Sequence, residues 1–329
     1  MEYCEIPDIY YEPAYPRLYE TIEHGRALRI CVDNEFGSVV SPVILRRIPI
    51  ETEEPYYDLV TPYGYGGPLI TALKGDKAQL IQSFEAAMQA FAAENRVVSE
   101  FVRFHPILGN ALDFAPVYHS QWDRKTVGAD LGTYAIEEEF SRSVLKYVRR
   151  AEKAGVTYET ILDPSDMKEF KEIYYSTMDR DGASEYYYFG DDYFSGCLRE
   201  LGKHVLYVKV MLGEKVIAAG LYFVCGEILQ CHLSGTLSEY LSLSPAYVTK
   251  WATAQWAKAN GIRFLHYGGG TSRDPENSLY QFKKKFGQKT EFDFYLGRKI
   301  WDPEAYAMLC EKVGANANDP FFPAYRHRS

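Results

Sequence analysis

Hydrophobic and polar positions recur with two different periods along this chain, and each change of period marks an element. Leu28 to Val32 and Val39 to Leu45 are aliphatic, β-branched runs on either side of the turn-rich DNEFGS, a pattern that predicts a hairpin. From Lys77 to Asn95 the period becomes helical. Leu80, Ile81, Phe84, Met88 and Phe91 make one stripe, with Gln79, Gln82 and Glu85 outside it. Val97 to Phe104 reads as a strand that brings up Arg103, and Ser141 to Ala154 as a helix stopped by Gly155. Further helices are predicted over Asp166 to Arg180 and from Asp191 to Gly202, with an aromatic, strand-like run at Tyr186 to Phe189 between them. Three strands follow at Val205 to Leu212, Val216 to Val224 and Ile228 to Ser234. The short turns GEK and CGE join them, so they form an antiparallel meander. Ser244-Pro245 opens a helix through Ala259, Ile262 to Leu265 is a short buried strand, and Glu291 to Leu296 is the last clear one.

The stretch from His266 to Gln288, HYGGGTSRDPENSLYQFKKKFGQ, concentrates the candidate chemistry. Gly268, Gly269 and Gly270 let the backbone turn and approach a ligand closely, and Asp274-Pro275 predicts a helix start. On that helix Leu279, Phe282 and Phe286 fall on one apolar stripe, while Lys283, Lys284 and Lys285 crowd the rest. A glycine turn, a helix start and a lysine cluster after a strand suit an anion, although the spacing of a nucleotide P-loop is absent. A second cationic element is the helix SRSVLKYVRRAEKA. Arg142, Lys146, Arg149, Arg150 and Lys153 share one face there, and Val144, Val148 and Ala151 share another. Such a face is either solvated or occupied by an anion. The loop DLVTPYGYGGP (Asp58 to Pro68) sets Tyr63 and Tyr65 around Gly64 and closes on Gly66-Gly67-Pro68. It reads as a ligand lip or as a structural turn.

Length and composition narrow the function classes. A chain of 329 residues is expected to hold two domains, and 47% apolar residues suffice for two cores. The net charge of −9 excludes a protein coated in nucleic acid, so any polyanion must meet a local basic patch. No apolar run of about 18 residues is present, and the N-terminus lacks a charged-then-apolar pattern, so a cytoplasmic location is the expectation. Six scattered cysteines without a CxxC pair give no support for a metal site, and Cys231, in a strand, reads as a small buried hydrophobe. Twenty-eight tyrosines against four tryptophans supply amphipathic rings, clustered at Tyr56-Tyr57, Tyr63 to Tyr65 and Tyr186 to Tyr188, with Tyr187 a candidate substrate contact.

The order helix, helix, three-stranded meander, helix, strand, helix, strand is that of a GNAT-type acyltransferase domain. That α+β fold holds donor and acceptor between two adjacent strands that part. The segments MDRDGASEYYYFGDDYF (Met178 to Phe194), LSPAYVTKWATAQWAKANG (Leu243 to Gly261) and GGG…SLYQFKKKFG resemble the FemAB family, bacterial aminoacyltransferases that build peptidoglycan cross-bridges, and related GNAT-like acyltransferases. PYGYGGP and FVRFHPILGN extend the resemblance into the first half. It implies two tandem GNAT-like domains. The basic helix sets the boundary, giving 1–150 and 151–300, and leaves a tail, 301–329, that either packs back on the first or does not. The resemblance also implies transfer of an acyl group to an amine, with aminoacyl-tRNA as donor and a cell-wall precursor as acceptor in one branch. The family's Phe-Lys pair matches Phe282-Lys283, which implies that Lys283 steadies charge at the transferred ester. Leu145 stands where the family often carries an arginine.

Amide formation needs a neutral amine and a stabilised oxyanion. Lys283 is the candidate for the second task. His232 is a candidate proton relay, since alternation puts Gln230, His232 and Ser234 on one strand face and Leu229, Cys231 and Leu233 on the other. No cofactor is expected; the acyl donor is a co-substrate. SGTLSEYLSLSPA lacks the [QR]xxGxG/A loop that cradles the pyrophosphate of coenzyme A, which favours aminoacyl-tRNA. The alternatives are an acyl-CoA or acyl-carrier-dependent enzyme of surface polysaccharide synthesis, and a non-catalytic module that binds glycan or precursor.

Overall fold

A computed structural model describes residues 6–317 and 319–327. In chain order the elements are strands β1 (Gly25–Asn34), β2 (Gly37–Arg47), β3 (Tyr57–Val60) and β4 (Leu69–Leu73), helix α1 (Lys77–Glu94), strand β5 (Val97–Arg103) and the single-turn helices α2 (Asn110–Asp113) and α3 (Ala115–Tyr118). Strand β6 (Gln121–Asp130), the one-turn α4 (Ile136–Glu139), α5 (Arg142–Lys153), β7 (Val156–Leu162), α6 (Phe170–Asp181) and α7 (Asp191–Leu201) follow. The last third holds β8 (Val205–Leu212), β9 (Lys215–Cys225), β10 (Ile228–Thr236), α8 (Pro245–Ala259), β11 (Phe264–Gly268), α9 (Ser278–Lys284), β12 (Thr290–Ile300) and α10 (Pro303–Lys312).

The chain divides into two compact units. One contains Tyr10–Arg124 and Asp293–Ser329; the other contains Lys125–Phe292 and a short N-terminal piece ending at Ile9. The first division therefore falls within β6 rather than after residue 150. The reason is packing: Val144 and Val148 of α5 share a core with Ala252 and Ala257 of α8, which ties α5 to the second unit. The second division falls at 292/293 rather than after residue 300, because Leu296 to Ile300 of β12 pair with Arg103 to Ser99 of β5.

In the first unit the strand order is β1-β2-β3-β5-β12, with β4 on β2. Asp76 caps α1 by accepting from the Gln79 N–H at 2.9 Å. Leu80, Phe84 and Met88 of α1 then bury against Val43, Leu59 and Val102. Tyr306 and Leu309 of α10 pack with Ile48, Val98 and Tyr325, so the tail completes this unit's second core. Beneath it the buried Asp58 carboxylate accepts from Arg46 Nε at 2.9 Å, from Arg326 and from Tyr325 Oη at 3.2 Å.

The second unit has the order β6-β11-β10-β9-β8-β7, antiparallel except for β10 and β11, which run parallel because α8 crosses between them. Alternation splits each strand between two faces. Leu206 and Val208 meet α5 and α8, whereas Tyr207 meets Phe170 of α6, ring centroids 6.0 Å apart. Gly235 lets α6 lie directly on β10, since a Cβ there would stand 2.4 Å from the Ile173 carbonyl oxygen. Parallel pairing lasts three rungs only: Ile228 with Phe264, Leu229 with Leu265, and Gln230 with His266. Beyond the third rung the strands part.

Some elements differ from the sequence expectation. Helix α9 begins at Ser278, capped by Asn277, because Asp274 instead closes a turn by accepting from the Glu276 N–H at 2.9 Å. Leu279 of its expected apolar stripe is 39% exposed. Residues 185–187 form a single 3-10 turn rather than a strand-like run. The strand β7 escapes the pattern because it pairs on one side only, with β8, and exposes Thr157, Tyr158 and Glu159.

Candidate active site

The site is built at the point where β10 and β11 separate. On the third rung His266 Nδ1 lies 2.8 Å from Gln230 Oε1, Gln230 Nε2 donates to Asp8 at 2.9 Å, and His266 Nε2 lies 2.9 Å from the Thr126 hydroxyl. All four side chains are buried. This chain of polar groups fastens the two strands on the α6 face of the sheet.

The next residues, Cys231 and Tyr267, stand on the opposite face, under α8. Cys231 is directly across from Tyr222 of β9. Lys250 enters from α8, 9% exposed, with Nζ 3.4 Å from Tyr222 Oη and 5.1 and 5.8 Å from the Tyr222 and Tyr267 ring centroids. Its charge also acts on the Cys231 thiol. Lys283 enters from α9, half-buried, and donates to the Gly269 carbonyl at 2.7 Å.

Two cations this close cannot be equally easy to protonate. Burial, and after it the Lys250 charge, pushes the Lys283 pKa down to about 8. Burial also opposes the charge of Lys250, but Cys231 and Tyr222 outweigh it and hold its pKa above the ordinary lysine range. Burial raises the Cys231 thiol against the pull of both lysines. The Tyr267 hydroxyl is 2% exposed and has no hydrogen-bond partner among the described residues. The arrangement offers two lysine nitrogens of unequal proton affinity, a thiol and a phenol with no hydrogen-bond partner among the described residues.

Of the residues singled out in the sequence, Lys283, Gly269 and Phe282 come together here. Phe282 packs edge-on to Tyr247 and Phe286, at 5.5 and 5.1 Å, and so fixes α9 on the core. His232 goes elsewhere. It occupies a β-bulge on the other face, its Nε2 2.5 Å from Tyr193 Oη and its ring 4.6 Å from Phe223, and burial lowers its pKa to about 3. A neutral imidazole held there does not reach Lys283. Nor do Lys283, Lys284 and Lys285 form a free cationic patch: Lys284 pairs with Glu291 at 3.1 Å, and Lys285 Nζ, at the end of α9, lies 3.3 Å from Tyr247 Oη. Arg149 is exposed on α5 with Arg142, Lys146, Arg150 and Lys153. These five make no ion pair among the described residues. Tyr187 is exposed on its 3-10 turn, with its carbonyl held by Tyr174 Oη at 2.8 Å. On that face an open groove is lined by Glu172, Tyr175, Asp179 and Arg180.

The remaining candidates belong to the first unit. Gly66 and Gly67 are buried, and their carbonyls accept from Tyr11 Oη at 3.1 and 3.2 Å. Tyr63 gives its carbonyl to Tyr15 Oη at 2.7 Å, and Tyr65 packs on Tyr10 and Phe294. Gly64, at φ +97°, has Tyr10 where a Cβ would go. Arg103 donates to the Thr61 carbonyl at 3.2 Å and lies over Phe101. The loop is thus clamped by tyrosines from the N-terminal segment, and its glycines serve that packing.

Lys250, Tyr222, Tyr267 and the position of Cys231 were not singled out from sequence. The usable signal for Lys250 was its setting. Helix α8 is apolar on most of its circumference, so a lysine beside Val248 and Ala252 has little chance of reaching solvent.

Residues 138–284 match the family model described as Acetyltransferase (GNAT) domain. No curated protein matches the chain. Among solved structures, FemX superposes with a TM-score of 0.65 at 15% identity, covering 90% of this chain and 92% of that one. The C-terminal domain of a putative lysylphosphatidylglycerol synthetase from Agrobacterium fabrum gives 0.54 at 13% identity, over 92% and 91%. L-PGS from Bacillus licheniformis gives 0.54 at 13%, over 94% and 98%. At these identities the likeness is one of fold. No helix among the described residues is long and apolar enough to cross a membrane. With a GNAT-type domain at 138–284, the overall fold of FemX and a two-lysine cleft between parting strands, the chain is an acyltransferase-type enzyme.

Proposed function

We propose that the second unit joins an activated acyl group to an amine in the cleft beyond the Gln230–His266 rung. The acyl group is an aminoacyl one, and the acceptor is a cell-wall precursor or a related cell-surface glycoconjugate. The observation that carries this reading is the pair Lys250 and Lys283 facing the gap between the strands. An acyl carbonyl held there turns its oxygen toward two nitrogen donors as negative charge develops. A preorganised donor of this kind lowers the barrier by about 3–4 kcal/mol.

Three features support aminoacyl-tRNA over coenzyme A as donor. The segment before α8 is a 3-10 turn, Ser238–Leu243, with N–H groups of Tyr240 and Ser244 already bonded to Leu237 and Leu241 carbonyls, so it offers no glycine cradle. The five exposed cations of α5 suit a polyanionic carrier. The resemblance of the sequence to the FemAB family, one branch of which uses aminoacyl-tRNA, points the same way, and the fold shared with FemX agrees with it. The first unit is read as a second GNAT-like domain, because β3, α1 and β5 repeat the strand–helix–parallel-strand unit of β10, α8 and β11.

The test supplies the purified chain with aminoacyl-tRNA or acetyl-CoA and a soluble peptidoglycan precursor nucleotide. Aminoacylated precursor is the expected product, and Lys283→Met should lower its formation about 10²–10³-fold. Acetylated product with no aminoacyl transfer favours the coenzyme A reading, for which the family model's own description speaks. Precursor binding without consumption of either donor favours a binding module.

A further inference from the structure

The Cys231 thiol sits where the acyl carbonyl has to go. It is the first β10 residue past the last rung, on the cleft face, half-buried across from Tyr222, and the charges of Lys250 and Lys283 both act on it. Direct attack by the acceptor amine needs an oxyanion site and a base for the amine's proton, and no sulfur. A sulfur nucleophile with one cation above it and one amine beside it is extra equipment. We propose that Cys231 is the nucleophile of a double displacement, taking the acyl group from the donor as a thioester and passing it to the acceptor amine. This rests on the acyl-transfer reading and deepens it.

The geometry supplies every role. Lys283, as the free amine, keeps its hydrogen bond to the Gly269 carbonyl and uses its lone pair to take the thiol proton. The sulfur attacks the acyl carbon, and the new oxyanion faces the Lys250 ammonium. The Tyr267 hydroxyl, buried and without a partner among the described residues, donates to the same oxygen. That vacant donor, independent of the cysteine, is what marks the place of a reacting oxygen. Collapse breaks the bond from the acyl carbon to the donor's ester oxygen, or to sulfur in a thioester donor. The leaving group takes the proton back from Lys283. In the second half the acceptor amine attacks the thioester carbon, the carbon–sulfur bond breaks, and the amine's surplus proton passes through Lys283 to the Cys231 sulfur. Donor ester and amine become amide and alcohol, with the protein unchanged. The lowered pKa of Lys283 suits this exchange, since the residue is free amine and ammonium in comparable amounts near pH 8.

The experiment uses the full chain and S-acetyl-N-acetylcysteamine, a small acyl thioester. Peptide mass mapping should find one acetyl group on Cys231, released by added hydroxylamine at neutral pH. Cys231→Ala should lose about 100-fold or more in transfer to the acceptor, with an unchanged circular dichroism spectrum. Lys283→Met should slow alkylation of Cys231 by iodoacetamide and remove its rise toward pH 8. Transfer by Cys231→Ala at the wild-type rate overturns the covalent step and leaves direct amine attack, and with it the acyl-transfer reading, intact. An acetyl group found only on other residues, or equal alkylation rates in wild type and Lys283→Met, overturns it as well. A Cys231 thioester that no tested amine discharges keeps the thiol chemistry and sinks the acceptor assignment instead.

Discussion

Replacing Lys283 by methionine should make the protein a poorer catalyst and a more stable one. The ordinary lysine pKa of 10.5 falls to about 8 at this position, because burial and the Lys250 charge both oppose the ammonium. A tenfold change in proton affinity is worth about 1.4 kcal/mol, so the protonated side chain weakens the native state by at most about 3 kcal/mol, and solvent screening at a half-buried site trims this to about 2. Methionine fills similar volume without charge but gives up the bond to the Gly269 carbonyl, a loss of about 1 kcal/mol. The variant should therefore gain about 1 kcal/mol at pH 7. The sign with pH follows from linkage. Below pH 8 both folded and unfolded chains carry the proton, and the wild type bears the whole penalty. Between pH 8 and 10.5 the folded chain has released its proton and the unfolded chain has not, so wild-type stability rises relative to the variant. Urea denaturation of both proteins at pH 7 and pH 10 measures the difference, alongside transfer assays that should show the fall in rate. A methionine variant clearly less stable than wild type at pH 7, or a stability difference that does not move between the two pH values, refutes the reasoning.

In the first unit, burial raises the Glu100 pKa to about 7 although Tyr118 and Trp301 donate to Oε2, and its Oε1 has no partner among the described residues. Wild-type stability should fall as pH rises from 4.5 to 7, where the native state holds a proton the unfolded state has lost. Glu100→Gln should match the wild type near pH 4.5 and exceed it by about 3 kcal/mol at pH 8 in denaturant titrations. Asp58→Ala strands the Arg326 guanidinium and leaves Arg46 with Glu23 alone, and should cost about 3 kcal/mol, read as a lower midpoint of thermal unfolding. Gln230→Leu removes the amide between Asp8 and His266. It should lower stability by about 2–3 kcal/mol and reduce kcat more than it raises KM, measured by unfolding and steady-state kinetics.

The second half of the fold was legible because each of its elements obeys one local rule. Strand β8 falls at Val205–Leu212 as its alternation indicates, and α8 starts at Pro245 behind Ser244. Lys283 was legible through its place in FKKKFG after the glycine turn. Lys250 was not singled out, since the apolar circumference of α8 hints at burial but the walls that enclose the lysine, β7 to β10, come from distant parts of the chain. The YGYGG loop could not be resolved between a ligand lip and a turn because its clamp, Tyr10, Tyr11 and Tyr15, lies about fifty positions earlier in the chain. Alternation separated His232 from Cys231, although the bulge at His232 turns Leu233 away from the face expected for it; weighing the thiol against the histidine needed knowledge of which face carries Lys250.

The third rung between β10 and β11 has a further meaning for how this enzyme could diversify. Gln230 and His266 hold the strands from the α6 side of the sheet, while Cys231, Tyr267 and Lys250 stand on the α8 side, where the proposed transfer takes place. The spacing of the cleft is thereby governed from behind, and the electrostatics of its front are left alone. Swaps at the rung or at Thr126 would then retune which acyl chains fit, much as moving a clasp changes the gape of a purse without altering its lining.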